Sequence, residues 1–330
     1  MRLSAIPLIL TSTILLLLSG CKYLVDEDLS DCGGYNEVDC ELRLQTNMQA
    51  ELSTVLDLEG DIYVSQALES WLGGIFSAYA RDIDLSFYEP EAPYRRLEHM
   101  QEKMNGKEAV YTFYLPAKEY RHNAVANIRD NDQVFLEDTE TLGGAILRQK
   151  AVNDTIHSFN TGIFTARKEI RMEDYEDQKI DVRLYFANAA SALVLDEAKS
   201  RSAGRVEVYA TGFADAFQIA DSCFVFQRNT IVRTENLAVS GGSESCYAAI
   251  HFPSRDSAED NIWGWHVYVS LPDGTVTRSV VGVKEALPAG CLKIVKAKIY
   301  ENGIVSVSDP TVSVSVRLDW HEGEEYDLEL

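Results

Sequence analysis

Hydrophobic residues along this chain follow different spacings in different stretches, and each spacing predicts a different kind of element. Near the start they form a short, nearly continuous run, Ile6-Pro7-Leu8-Ile9-Leu10 and Ile14-Leu15-Leu16-Leu17-Leu18, broken only by Thr11, Ser12 and Thr13. It follows a single positive charge, Arg2, and is too short to read comfortably as a spanning helix, so it predicts a secretory signal over 1–20. Between 65 and 80 the apolar positions Leu68, Trp71, Leu72, Ile75, Phe76 and Tyr79 recur at helical spacing and predict one amphipathic helix. Gly73-Gly74 weakens that helix, so burial against a sheet must compensate. Its aromatic stripe reads as core rather than as a binding face.

Elsewhere the period is two, the mark of half-buried strands. Glu41–Gln45 is the first such run and Ala109–Leu115, ended by Pro116, is another. Strands resume at Thr161–Met172 and Ile180–Leu195, where Val182, Leu184 and Phe186 share a face. Further runs are Gly204–Ala210, Cys246–Phe252, Trp263–Leu271, Thr275–Val283, Cys291–Tyr300, Ile304–Val307 and Val312–Leu318. Pro272-Asp273-Gly274 and Glu301-Asn302-Gly303 signal hairpin turns, since Gly and Asn accept positive φ cheaply. The segment 130–160, opening Arg129-Asp130-Asn131-Asp132, is polar and reads as a long loop with one helical turn around Leu142–Leu147. The pattern therefore predicts a mostly β protein of two tandem β-sandwiches, the first with an added amphipathic helix. The expected organisation is a signal over 1–20, an acidic tether over 21–39, an N-terminal sandwich over 40–165 and a C-terminal sandwich over 166–330.

The end of the signal changes the picture. Leu18-Ser19-Gly20-Cys21 resembles a lipobox, in which small residues precede a cysteine whose thiol accepts a diacylglyceryl group. Several acyl chains, at roughly 0.8 kcal/mol per buried methylene, would hold Cys21 firmly in a membrane. Lys22 follows, rather than the aspartate associated with inner-membrane retention, which favours the outer membrane. Lys22-Tyr23-Leu24-Val25-Asp26-Glu27-Asp28 resembles acidic stretches that send lipoproteins to the cell surface, although any solvated linker is also charged. The formal charge of −22 becomes −23 when Arg2 is removed. That acidity argues against nucleic acid and against lying on anionic lipid, and it suits a body held off the membrane by a tether.

Five cysteines remain beyond Cys21, so at least one lacks a partner within the monomer. Cys32 and Cys40 could clip the tether to the fold, and Cys223 could pair with Cys246 across a hairpin; equally, all could be buried thiols. The histidines His99, His122, His157, His251, His266 and His321 show no HxH or HExxH spacing, and no CxxC pair occurs, so no metal is expected. No phosphate loop, dinucleotide fingerprint or nucleophile elbow appears, so neither a catalytic residue nor a cofactor is nominated. Trp263-Gly264-Trp265-His266-Val267-Tyr268 has the aromatic density of a sugar platform, but alternation puts Trp263, Trp265 and Val267 on one face, as a sandwich core requires. Asp154-Thr155-Ile156 and Asp256-Ser257-Ala258 resemble the O-glycosylation acceptor of some anaerobic bacteria, at Thr155 and Ser257. Glu322 to Asp327 reads as a solvated acidic tail.

Several longer motifs resemble one family. The lipobox followed by Glu27-Asp28-Leu29-Ser30-Asp31-Cys32 resembles the opening of the fimbrillin-associated anchor proteins of type V fimbriae. Ala80–Tyr88, Tyr111–Pro116 with Tyr120 and Ala124–Asn127, Gly162–Arg167 and Leu184–Ala190 are similar to later segments of that family, and the likeness fades beyond about 210. The resemblance implies two transthyretin-like sandwiches, no catalysis, a lipid anchor in the outer membrane and fimbrial shaft subunits as partners. It also implies joining by strand exchange, a form of β-augmentation. The lipidated N-terminus must stay in place, so the C-terminal run with Val312, Val314, Val316 and Leu318 is the expected exchange edge, or else an ordinary internal strand. The rival expectation is a surface lipoprotein that binds carbohydrate through the Trp263–Tyr268 aromatics.

Overall fold

The computed structural model describes residues 35–44, 62–75, 80–106, 108–151, 155–173, 178–196, 204–227, 230–240, 244–256, 263–307 and 313–317. Seven strands form the first sheet: β1 (Tyr35–Leu44), β2 (Ala80–Tyr88), β3 (Arg96–Gly106), β4 (Glu108–Pro116), β5 (Glu119–Ala126), β9 (Phe164–Arg171) and β10 (Gln178–Phe186). Their order is β3-β2-β5-β9-β10-β1-β4, with β1 parallel to β10 and antiparallel to β4. The sheet curls over itself. Phe87 of β2 meets Phe113 of β4 with ring centroids 4.7 Å apart, and the Tyr111 hydroxyl donates to the Lys103 carbonyl of β3. Val38, Cys40, Leu42, Leu85, Phe87, Phe113 and Leu115 are sealed between the layers, so one folded sheet makes a sandwich.

A second sheet has six strands: β11 (Ala189–Asp196), β16 (Glu235–Leu237), β17 (Glu244–His251), β20 (Cys291–Ile299), β21 (Val305–Val307) and β22 (Ser313–Arg317). A third has five: β8 (Thr155–His157), β12 (Val206–Thr211), β15 (Ile231–Arg233), β18 (Trp263–Ser270) and β19 (Val276–Val283), in the order β19-β18-β12-β15-β8. These two pack face to face, Leu193, Leu195, Ala249 and Ala297 against Trp263, Trp265, Val267 and Val269. The opposite face of the six-stranded sheet is also covered. Ala190, Ala192, Val194, Ala248 and Ile250 join the first core, together with Val64, Leu68 and Leu72 of helix α1 (Ile62–Ile75). Covered on both sides, β11 is buried at every position except Asp196, which is why it lacks alternation.

The helix starts three residues before its expected beginning, and Phe76 and Tyr79 lie outside the described residues. It is inserted within the first sheet's strands but rests on β16 and β17, and the Trp71 indole donates to Glu235 Oε2 at 3.0 Å. Both expected turns are present, with Gly274 and Gly303 at positive φ, 86° and 77°.

The structure differs from the sequence pattern in three places. β1 begins at Tyr35, inside the expected tether; Val38 is in the core while Glu37 lies exposed, so a single buried position gave no period to read before Cys40. The expected loop over 130–160 contains β6 (Val134–Glu137), β7 (Ile146–Gln149) and β8, and the turn expected around Leu142–Leu147 is one turn closed by the Ala145 N–H on the Thr141 carbonyl at 3.1 Å, just before β7. β6 and β7 pair with β13 (Ala216–Gln218) and β14 (Cys223–Val225) in a four-stranded sheet. Strands of three or four residues are too short to display a period. The run Ile180–Leu195 is two strands in different sheets, broken at Ala187-Asn188. β9 and β10 therefore complete the first sheet, and the chain crosses to the next one between Phe186 and Ala189 rather than at 165/166. Alternation cannot mark this joint, because buried residues continue through it.

Candidate interaction surfaces

Cys21, Cys32, Ser257, Val312 and Leu318 lie outside the described residues. Cys40 sits in the first core, its Sγ 4.0 Å from His122 Nε2, and burial pushes the thiol up to about 12. A thiol held protonated in this way is a poor nucleophile. The Cys223–Cys246 pairing is not made. Cys223 lies exposed on β14, where its thiol donates to the Asp221 carbonyl, whereas Cys246 is buried on β17. β15 and β16 intervene, so no hairpin joins them.

The C-terminal strand carrying Val314 and Val316 is β22, antiparallel to β20 in the register Ile294↔Val314 and Leu292↔Val316. Among the described residues it pairs on one side only, so it is an edge strand rather than an internal one. β4 is a second edge. Its Val110 and Tyr114 are 58% and 62% exposed, alternating with the buried Phe113 and Leu115. Thr155 is half-buried on β8, the outermost strand of the five-stranded sheet.

Trp263 and Trp265 are core residues, 2% and 0% exposed, and the Trp263 indole donates to the Glu285 carbonyl. They cannot serve as a sugar platform.

One buried polar group escapes the sequence pattern. On β2, Asp82, Asp84 and Ser86 alternate with the core residues Ile83, Leu85 and Phe87, yet all are buried. Asp84 accepts hydrogen bonds from Gln101 Nε2 at 2.7 Å and Ser86 Oγ at 3.4 Å, and its Oδ2 lies 2.8 Å from His99 Nε2. The serine hydroxyl is bonded to the carboxylate rather than to the imidazole, so this is not a nucleophile activated by a base. Its signal was three short polar residues facing away from a continuous apolar row. Among the described residues, no group of three His, Cys, Asp or Glu side chains could hold a metal ion.

The family-like motifs meet one another. Asn127, at φ 65°, accepts the Arg81 N–H on Oδ1 at 2.8 Å and donates from Nδ2 to the Gly162 carbonyl at 2.8 Å. Asn188 Oδ1 accepts the Ile163 N–H, and its carbonyl accepts from Gly290 N–H at 2.7 Å. The segments Ala80–Tyr88, Ala124–Asn127, Gly162–Arg167 and Leu184–Ala190 are thus knit together by two buried asparagines.

No protein-family model and no curated protein matches the chain. Solved structures do. The fimbrial anchor protein Mfa2 from Porphyromonas gingivalis matches with a TM-score of 0.50 at 12% identity, over 83% of this chain and 95% of that one. A proposed adhesin from Bacteroides thetaiotaomicron matches with a TM-score of 0.54 at 8% identity, over 87% and 98%. A proposed polysaccharide-binding protein from the same species gives 0.53 at 8% identity, over 83% and 98%. The resemblance read from the sequence motifs is therefore met at the level of architecture, and this chain has the fold of the fimbrial anchor and adhesin proteins.

Proposed function

We propose that this chain is a non-catalytic outer-membrane lipoprotein, lipidated at Cys21, that anchors a fimbrium at the cell surface and helps set its length. The observation that carries this reading is the union of a lipobox ending at Cys21 with the fold of a fimbrial anchor protein. The fold alone serves adhesins as well, and the lipobox alone marks any lipoprotein. Together they support a folded body tied to a membrane by one end. Strand edges at β22 and β4, each paired on one side among the described residues, supply places where a shaft subunit could add a strand, with backbone pairing giving affinity and alternate side chains giving selectivity. In the Cys21→Ala strain the protein, and the shaft it holds, should appear in the medium. Deletion of the gene should shed fimbriae or change their length; fimbriae of normal length, still attached, would sink the reading.

A further inference from the structure

The five-stranded sheet has a second face, and cross-strand register decides which residues share it. One row runs Val280–His266–Tyr209–Arg233–His157 across all five strands. Beside it lies Arg278–Tyr268–Glu207. At the usual spacing between strands the longer row spans about 19 Å. Val280, Arg278, Arg233 and His157 are exposed, while Tyr209, His266 and Tyr268 are half-buried. This is the reverse side of the strands whose inner face holds Trp263 and Trp265.

The tyrosine rings meet edge to face with centroids 6.0 Å apart. Arg278 Nη2 lies 3.4 Å from His266 Nδ1, and among the described residues neither Arg278 nor Arg233 has an acidic partner. The one carboxylate in these rows, Glu207, is held by Arg205 at 2.6 Å. The outer face of β1 and β10 is different: Glu41 pairs with Lys179, and Asp181 with Arg183. Guanidiniums without an acidic partner among the described residues stand out on a chain of formal charge −22.

We propose that this face binds an extended polysaccharide bearing uronic-acid carboxylates. Tyrosine rings offer flat apolar surface to sugar rings, with hydroxyls at the rim for hydrogen bonding. A guanidinium grips a carboxylate through paired N–H donors. A neutral glycan would cover Arg233 and Arg278 without answering their charge. The face is open and spans several strands, which suits a chain of sugars better than a single one. This inference does not depend on the anchoring role.

The test is calorimetry on the full-length chain in detergent, with oligogalacturonate, neutral dextran oligomers and dextran sulfate as probes. Oligogalacturonate should bind and dextran should not. The Arg233→Gln/Arg278→Gln pair should weaken binding at least tenfold, as should Tyr268→Ala, while the melting temperature of the arginine pair variant stays unchanged. Failure of oligogalacturonate to bind, or equal binding by the arginine pair variant, would overturn the proposal. So would a preference for dextran sulfate, or self-association that the arginine substitutions abolish, which would assign the face to a second copy's acidic surface. None of these outcomes bears on whether fimbriae stay attached.

Discussion

At the scale of single residues, the polar groups buried in this molecule do more to define it than the apolar ones. Asn127 holds the left-handed conformation and bridges Arg81 to Gly162, so Asn127→Ala removes both hydrogen bonds and leaves at φ 65° a residue whose side chain, unlike that of asparagine, cannot hydrogen-bond to support that conformation. The expected cost is about 2–4 kcal/mol, read as a lower denaturant midpoint. His122 and His251 are enclosed against Phe87 and Phe213, with ring centroids 4.4 and 3.4 Å apart. Burial pushes His122 down to about 4 and His251 down to about 3. The unfolded imidazoles bind protons near pH 6.5 and the folded ones do not, so their contribution is intact above that pH and is lost as pH falls towards 4 and 3. Unfolding free energy measured between pH 6.5 and 5 should fall with a slope approaching two protons; a flat profile there would contradict burial of these rings as neutral groups.

At the scale of elements, the hairpin of β18 and β19 was legible because Pro272-Asp273-Gly274 and the alternation of Trp263, Trp265, Val267 and Val269 announce it, although Val276 and Val280 of β19 face outward. Gly264 explains a break in that aromatic run: a Cβ there would stand 2.1 Å from the Val281 carbonyl, so glycine is required where the two strands meet. β6 to β8 and β13 to β16 were not legible, since strands of three or four residues depend on neighbours far along the chain. The same reason hid the Tyr209–Arg233 face, whose members become adjacent only when β12 pairs with β15. The helix was legible from Leu68 and Leu72, but not its resting place on β16 and β17. A Cβ on Gly74 would meet nothing within 4 Å, so Gly74→Ala should stabilise the protein by about 0.5–1 kcal/mol, seen as a higher melting temperature.

At the scale of the whole molecule, the two sandwiches are not beads on a string. The six-stranded sheet is a shared wall, contributing Ala192 and Ile250 to one core and Leu193 and Ala249 to the other. The sequence pattern showed two stretches of strands but could not show that one sheet serves both. Because helix α1, the first sheet and this wall bury their apolar surface together, calorimetry should give a single cooperative transition. Two well-separated transitions would mean that the wall parts cleanly from the first core.

The placement of β1 has a mechanical consequence. The first described strand, β1, is flanked by β10 on one side and β4 on the other. Under the proposed anchoring, tension reaches the described fold through β1, whose pairing with β10 from Val38 to Leu44 and with β4 from Tyr35 to Arg43 resists it along both edges. Resistance to tension is set by the unfolding rate rather than by equilibrium stability. A body anchored as proposed is held through a strand paired along both of its edges.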